Sequence, residues 1–161
     1  MQFRFGWKKL FFSAALFLGG AVSAYGETAA GNVAQAPSSE LEFAVTEATK
    51  DETHPFFGKG NPLGFVVNGV QGRVLTLVRG KTYTFNVNTG PMHDFYISKG
   101  SQGWGGGTLT EGVDGNFTYQ GSVTFNPSAA TPDIVYYACR NHQFMGGEIR
   151  IVNAGDEGKA K

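Results

Sequence analysis

Cysteine is nearly absent from this sequence, which has one, Cys139, among 161 residues. A disulfide needs two thiols, so no disulfide framework within the chain can hold the fold together. In an oxidising compartment cysteines usually pair, and a lone thiol there needs a reactive, ligating or intermolecular role unless it is buried and inert. The chain must therefore build an ordinary hydrophobic core, and Cys139 is a candidate functional residue.

Runs of basic residues are also missing. The 13 Lys and Arg residues balance 13 Asp and Glu residues, and no segment has the basic cluster typical of nucleic-acid binding. Arg4, Lys8 and Lys9 precede an apolar stretch over residues 10–22, which predicts a cleaved signal peptide over residues 1–24. The apolar stretch is too short to span a bilayer. Removal of residues 1–24 leaves ten basic and thirteen acidic residues, a net charge of −3.

A helical repeat of apolar residues is missing after residue 55. Aromatic and β-branched residues come instead in short bursts, separated by glycine, proline and asparagine. One burst alternates, which places Tyr83, Phe85 and Val87 on one face of a strand. Seven or eight short strands with frequent turns predict an all-β fold, an antiparallel β-sandwich. The predicted strands are residues 63–70, 73–78, 82–87, 94–98, 117–119, 122–125, 134–139 and 148–152.

The domain boundaries follow from changes in composition. Residues 25–54 are rich in Ala, Glu, Ser and Thr and nearly free of aromatics, which predicts a flexible leader. Within it, residues 41–45 alternate as a short edge strand would. A single β-domain over residues 55–153 and a polar tail over residues 154–161 complete the predicted organisation.

The residues around Cys139 have the order of a mononuclear metal loop. His142 follows Cys139 by three residues and Met145 follows by six, while His93 lies upstream. A thiolate, two imidazoles and a weak axial thioether form the ligand set of blue-copper electron-transfer sites. A strand ending at Cys139 and the glycine pair after Met145 would present three of these ligands from one hairpin loop, which His93 would close from another strand.

Three motifs resemble those of the cupredoxins, the blue copper proteins. They are the Cys-x-x-His-x-x-Met order at 139–145, which is most similar to the short ligand loop of amicyanins, Tyr-x-Cys at 137–139, and Pro-Met-His-Asp at 91–94. The resemblance covers about residues 60–153. It implies a Greek-key β-sandwich with one copper ion bound near one end by His93, Cys139, His142 and Met145.

Two positions depart from the cupredoxin pattern. Asp94 stands where the family often has an asparagine that ties the two ligand loops together, and a carboxylate there accepts hydrogen bonds but cannot donate them. Gln143 stands where amicyanins commonly have proline, so we expect a less rigid loop. Both positions bear on the reduction potential rather than on the presence of a metal.

Several other residues near the predicted site allow more than one interpretation. His54 is either a packing or turn histidine or an additional metal ligand, and Met92 is an alternative thioether. Trp104 either packs in the core or forms with Phe144 an apolar rim around the metal loop. A Cys139 nucleophile with His142 as its base is a further reading, but it leaves Met145 without a role.

The leading functional prediction is an exported electron carrier, periplasmic or secreted, that cycles copper between Cu(I) and Cu(II) with transient redox protein partners. A ligand set filled by the protein leaves no open position for a substrate, so we expect no enzyme activity. We also expect no nucleic-acid partner and no stable membrane insertion after cleavage. The alternatives are a copper carrier or copper-tolerance protein, and a metal-free β-sandwich that serves as an interaction domain.

Overall fold

A computed structural model describes residues 40–159, which form ten β-strands and one short 3-10 helix. The predicted signal peptide lies outside the described residues. Within residues 40–159 no helix is long and apolar enough to cross a membrane. The strands are β1 (Glu42–Thr49), β2 (Leu63–Val67), β3 (Val70–Gln71), β4 (Leu75–Val78), β5 (Tyr83–Asn88), β6 (Phe95–Ser98), β7 (Val113–Asp114), β8 (Gln120–Phe125), β9 (Ile134–Cys139) and β10 (Gly147–Val152), and the 3-10 helix is Glu157–Lys159.

The strands form two sheets packed as a sandwich. One sheet has the order β3-β2-β1-β5-β8-β7 and the other the order β4-β10-β9-β6, so the chain crosses repeatedly between them. The predicted all-β, Greek-key sandwich is confirmed. The prediction of purely antiparallel pairing is wrong, because β1 pairs in parallel with β5 and β4 pairs in parallel with β10. Parallel neighbours need crossover connections, which here are the passages from one sheet to the other.

The core lies between the sheets. Tyr83, Phe85 and Val87 are buried while their neighbours on β5 are more exposed, as the alternation predicts. Aromatic rings pack against one another through the core, with centroid separations of 5.2 Å for Phe43 and Phe85 and 5.1 Å for Phe85 and Phe95. Such pairs add to the stabilisation that apolar burial provides.

The predicted flexible leader is wrong for its second half. β1 is a central strand, hydrogen-bonded to β2 on one side and to β5 on the other. Phe43 and Val45 are fully buried, so β1 belongs to the core and the domain begins before residue 55. The edge-strand interpretation of residues 41–45 is wrong for the same reason: two neighbouring strands satisfy the backbone groups of β1.

Several predicted strand bounds also differ. The stretch predicted over residues 63–70 is broken by a turn in which Asn68 has a φ of 46° and Gly69 a φ of 80°, which separates β2 from β3. Residues 117–119 form no strand but one isolated bridge, between Thr118 and Phe95. The glycine-rich connection over residues 100–115 contains the short strand β7 at its end.

The β9–β10 hairpin carries the predicted ligand loop. β9 ends at Cys139 as predicted, and β10 begins at Gly147. A Cβ atom at Gly146 would lie 1.7 Å from the carbonyl oxygen of Tyr137, so only glycine permits this close approach. Seven residues between the two strands therefore span the end of the sandwich.

Candidate metal centre

Cys139 occupies the last position of β9 and its side chain is fully buried. The main chain pairs with Phe95 of β6, the strand that follows His93. The Sγ atom lies 3.7 Å from Nδ1 of His142, and the thiol donates to the Met92 carbonyl at the same distance. The thiol is thus enclosed by its own loop and by the turn that carries His93.

His93 lies in that turn, two residues before β6. Its backbone N–H donates to Gly90 O at 3.1 Å, and its carbonyl accepts a hydrogen bond from the Thr89 hydroxyl at 3.0 Å. The His93 and His142 rings meet edge to face with their centroids 4.9 Å apart. The structure therefore brings together two imidazoles from sequence positions 49 residues apart.

Met145 is buried with a relative exposure of 1% and belongs to the same hydrophobic core cluster as Cys139. Its carbonyl accepts a hydrogen bond of 2.6 Å from the Phe65 N–H, which ties the end of the ligand loop to β2. Met92 is different: it is 63% exposed and has a φ of 82°. Of the two thioethers, Met145 is the one buried alongside the thiol.

The donor set fits a soft metal ion, with one departure in its arrangement. An ion bound to sulfur at about 2.3 Å and to imidazole nitrogen at about 2.0 Å, at a tetrahedral angle, would hold these atoms roughly 3.5 Å apart. The Sγ–Nδ1 separation of Cys139 and His142 is 3.7 Å. Within residues 40–159, however, no three His, Cys, Asp or Glu side chains converge as metal ligands. Nδ1 of His93 contacts the carboxylate of Glu47, so Nε2 is the ring nitrogen that His93 would offer to a metal ion.

The electrostatics of the site favour a bound cation. Burial raises the pKa of the Cys139 thiol, and the negative charges of Asp94 and Glu47 raise it further, against the lowering effect of the Asn141 and His142 backbone N–H groups. A nearby positive charge would stabilise a thiolate beside two carboxylates. A metal ion would supply that charge and stabilise the thiolate, since metal binding deprotonates a coordinating thiol.

Asp94 joins the two ligand-bearing turns. Its backbone carbonyl accepts a hydrogen bond of 2.8 Å from Arg140 N–H, and its Oδ2 accepts one of 3.3 Å from the Asn141 side-chain amide. The same amide donates to the Met92 carbonyl at 2.9 Å. Asp94 thus accepts bonds, as expected for a carboxylate, and the donor that an asparagine would provide comes from Asn141.

A segment over residues 50–62 holds the ligand loop from the opposite side. Lys50 is 6% exposed, and its ammonium donates to the carbonyls of Phe56 and Phe144, both at 3.1 Å, and of Lys59. Asn61 N–H donates to the carbonyl of Gln143 at 3.1 Å. These bonds fix the main chain of the loop at the position where proline is missing.

His54 is a packing and turn histidine. It is 2% exposed, its Nδ1 accepts from the Phe56 N–H at 3.0 Å, and its Nε2 lies 3.4 Å from the Met145 carbonyl. Burial, helped by the positive charge of Lys50, lowers the pKa of His54 from 6.5 to about 4. A neutral ring in these contacts supports the loop from behind.

The rim of the site is exposed and partly apolar. Trp104 is 66% exposed, so the interpretation that it packs in the core is wrong. Its backbone N–H donates to the Cys139 carbonyl at 2.8 Å. Phe144 is partly buried and packs on Phe56, with ring centroids 5.4 Å apart. A shallow groove of about 200 Å³ runs along the rim and is lined by Gly60, Asn61, Trp104, Asn141, His142 and Gln143.

Sequence reasoning missed Glu47 and Lys50, both of which contact the site. The signal for Glu47 was present: Phe43 and Val45 alternate toward the core, and Glu47 continues the same face. A carboxylate at an inward position of a strand requires a polar partner. For Lys50 no comparable signal exists, because its acceptors are backbone carbonyls that only the folded chain assembles.

Comparisons with known proteins give matches among solved structures. A mutant rusticyanin is 21% identical over 78% of this chain and 86% of its own, with a TM-score of 0.44. Rusticyanin from Thiobacillus ferrooxidans is 22% identical over 78% and 85%, with a TM-score of 0.42. The McoA multicopper oxidase from Aquifex aeolicus is 15% identical over 81% of this chain and 32% of its own, with a TM-score of 0.42.

Rusticyanin is a copper protein. No protein-family model matches the chain, and no curated protein does. The two sheets of this chain define its fold, and the side chains of His93, Cys139, His142 and Met145 define its candidate site. What the site offers chemically is a buried soft donor, two imidazoles and a buried thioether under a partly apolar rim.

Proposed function

We propose that this protein is an exported mononuclear blue-copper protein that transfers electrons, with His93, Cys139, His142 and Met145 as its ligands. The observation that carries the proposal is the approach of the buried Cys139 Sγ to His142 Nδ1, at 3.7 Å, beside the His93 ring. Copper bound there would alternate between Cu(II) and Cu(I), and a thiolate with imidazole and weak thioether donors suits both states.

The surroundings support electron transfer rather than catalysis. Hydrogen bonds from both sides hold the ligand loop, through Asn61 to Gln143 and through Phe144 to Gln102. A loop held in this way changes little between oxidation states, which keeps the barrier to electron transfer low. Four protein donors leave no open position for a substrate. The exposed, partly apolar rim near Trp104 suits brief contacts with a redox protein.

A copper carrier or copper-tolerance protein is the second candidate. The exposed Met92 favours it, because a thioether at the rim, next to the turn that carries His93, suits transfer of Cu(I) between proteins. The buried His54 does not add to this reading, since its ring is engaged by Phe56 and by the end of the ligand loop. Reversible voltammetry separates the two: an electron carrier keeps its metal through repeated cycles, whereas a metal carrier loses it to a chelator or partner.

Substitution of Cys139 tests the proposal directly. Residues 27–161 are expressed, loaded with Cu(II), and examined by visible and electron paramagnetic resonance spectroscopy. We expect an intense thiolate-to-copper band, which Cys139→Ser abolishes because the hydroxyl cannot replace the thiolate. Met92→Leu is the matched control and should leave the band in place. A colourless spectrum from the unsubstituted protein, or a band that survives Cys139→Ser, would refute the proposal.

A further inference from the structure

Glu47 brings a carboxylate to the candidate metal centre from a strand that contains none of the four proposed ligands. It lies on the core-facing side of β1, in line with the buried Phe43 and Val45. Its side chain is 22% exposed, and the side chain of His93, which it contacts, is 13% exposed. An acidic group in such a position costs free energy unless it is paired, so its place here calls for a partner.

Both oxygens of Glu47 are engaged by the turn that carries His93. Oε1 accepts a hydrogen bond of 3.1 Å from the backbone N–H of Gly90, and Oε2 contacts Nδ1 of His93. The contact with Gly90 fixes the carboxylate relative to the main chain, so the carboxylate can in turn fix the imidazole. A Cβ atom at Gly90 would come within 2.8 Å of Oε1, which shows how closely the turn and the carboxylate fit.

The contact between Glu47 and His93 is of a kind that is common in metal sites. Histidines that bind metals usually place the ring nitrogen that does not bind the metal against a carboxylate or carbonyl, which sets the ring orientation, and loss of that partner typically weakens metal binding about 10- to 100-fold. Because Glu47 contacts Nδ1, the nitrogen of His93 that would bind the metal is Nε2. A carboxylate near the ion also stabilises the higher charge of Cu(II) more than that of Cu(I). Glu47 contacts His93, and its charge is felt at the Cys139 thiol.

We propose that Glu47 is a positioning residue of the metal centre, which orients His93 and adds a negative charge that favours Cu(II). The proposal rests on the proposed function, because it takes His93 as a copper ligand. On this proposal, β1 contributes a side chain to the metal centre as well as a strand to the sandwich.

Glu47→Gln tests the proposal, since glutamine keeps the shape and removes the charge. Glu42→Gln is the matched control, because Glu42 lies on the same strand with its side chain exposed. We expect Glu47→Gln to weaken Cu(II) binding by about 10- to 100-fold in a chelator competition, with a smaller loss for Cu(I). The midpoint potential then rises by roughly 59 mV for each tenfold difference between the two losses. Glu47→Asp, which keeps the charge, should recover part of the shift in potential.

A second measurement uses the metal-free protein. The ring nitrogens of His93 are followed by long-range ¹H–¹⁵N correlation, and Glu47→Gln should shift them while those of His54 stay in place. If the protein binds no copper, the proposed function fails, and unshifted His93 nitrogens would then overturn the Glu47–His93 pairing as well. If copper binds with its thiolate band but Glu47→Gln matches Glu42→Gln in affinity and potential, Glu47 has no positioning role and the proposed function stands.

Discussion

At the scale of single residues, the site favours a neutral Cys139 thiol without metal and would favour a thiolate with a metal ion bound. The Cys139 thiol is held neutral by burial and by the charges of Asp94 and Glu47, yet it is the donor that a cation would turn into a thiolate. His54 and Lys50 lie behind the loop, where burial, helped by the positive charge of Lys50, lowers the pKa of His54 and keeps its ring neutral. These ionisable groups therefore act in two places: Cys139, Asp94 and Glu47 lie at the candidate metal centre, and His54 and Lys50 support the ligand loop.

The buried His54 predicts a loss of stability in mild acid for the metal-free protein. Its pKa is lowered to about 4 in the folded chain, against an ordinary value of 6.5. Between these values the unfolded chain binds a proton that the folded chain does not. The stability is fully present above pH 6.5 and falls as the pH drops toward 4, by about 2 kcal/mol between pH 7.5 and 5.

Urea unfolding at pH 7.5 and pH 5 measures this effect. His54→Gln removes the titrating group, so the difference in unfolding free energy between the two pH values should shrink by the same amount. The carboxylates titrate alike in both proteins and cancel in the comparison. Equal pH dependence in the wild type and in His54→Gln would contradict the prediction.

At the scale of elements, the segment over residues 50–62 acts as a brace for the ligand loop. Lys50 draws together carbonyls from two places in the segment and one in the loop, Phe144. Asn61 adds a main-chain bond to Gln143. The loop lacks the proline that would stiffen it from within, and the brace restrains it from outside.

Lys50→Met should loosen this brace. The substitution removes the donor from three carbonyls and keeps the apolar stem. The Phe56 carbonyl retains the Lys59 N–H as a partner, but those of Lys59 and Phe144 lose the ammonium, so we expect a loss of about 2–4 kcal/mol in unfolding free energy. Amide hydrogen exchange within residues 139–145 should become faster. Lys81→Met, at an exposed position, is the control and should change neither quantity. Unchanged exchange in the Lys50 variant would show that the loop is rigid without the brace.

The sequence was sufficient for the elements that are local. The burst of β-branched and aromatic residues before Cys139 predicted β9 with the observed bounds, and the order Cys139, His142, Met145 placed three candidate ligands in one hairpin loop. For β1 the sequence predicted only a short edge strand over residues 41–45. Its full length and central place were missed because its flanking residues resemble a leader and its pairing with β5 is parallel, which leaves no turn between them to detect. Glu47 was missed with it, since only the sheet brings it to His93.

At the scale of the whole molecule, the sandwich depends on its N-terminal strand. β1 lies between β2 and β5 and connects the outer part of the six-stranded sheet, β3-β2, to the remainder. Phe43 and Val45 fill the core from this strand. Removal of β1 would divide the sheet and expose an apolar face.

Two truncations test this dependence. A chain of residues 40–161 keeps every described strand and should unfold cooperatively, with the near-ultraviolet circular dichroism of the full chain. A chain of residues 50–161 loses two buried apolar side chains, worth about 1.5–3 kcal/mol each, and one pairing partner for each of two strands. Because domains of this size are stable by only about 5–15 kcal/mol, we expect it to lose fixed tertiary structure. Native-like spectra from the shorter chain would contradict the central role of β1.

The brace around the ligand loop has a consequence for protein engineering. Residues 139–145 form a short segment that contains three of the four candidate ligands, which makes it an obvious choice for transplantation. Their conformation nevertheless depends on Lys50 and Asn61, which lie more than 75 positions earlier in the chain. A loop transplanted alone onto another β-sandwich would arrive without its support, so a faithful graft has to carry residues 50–62 as a second, separate piece.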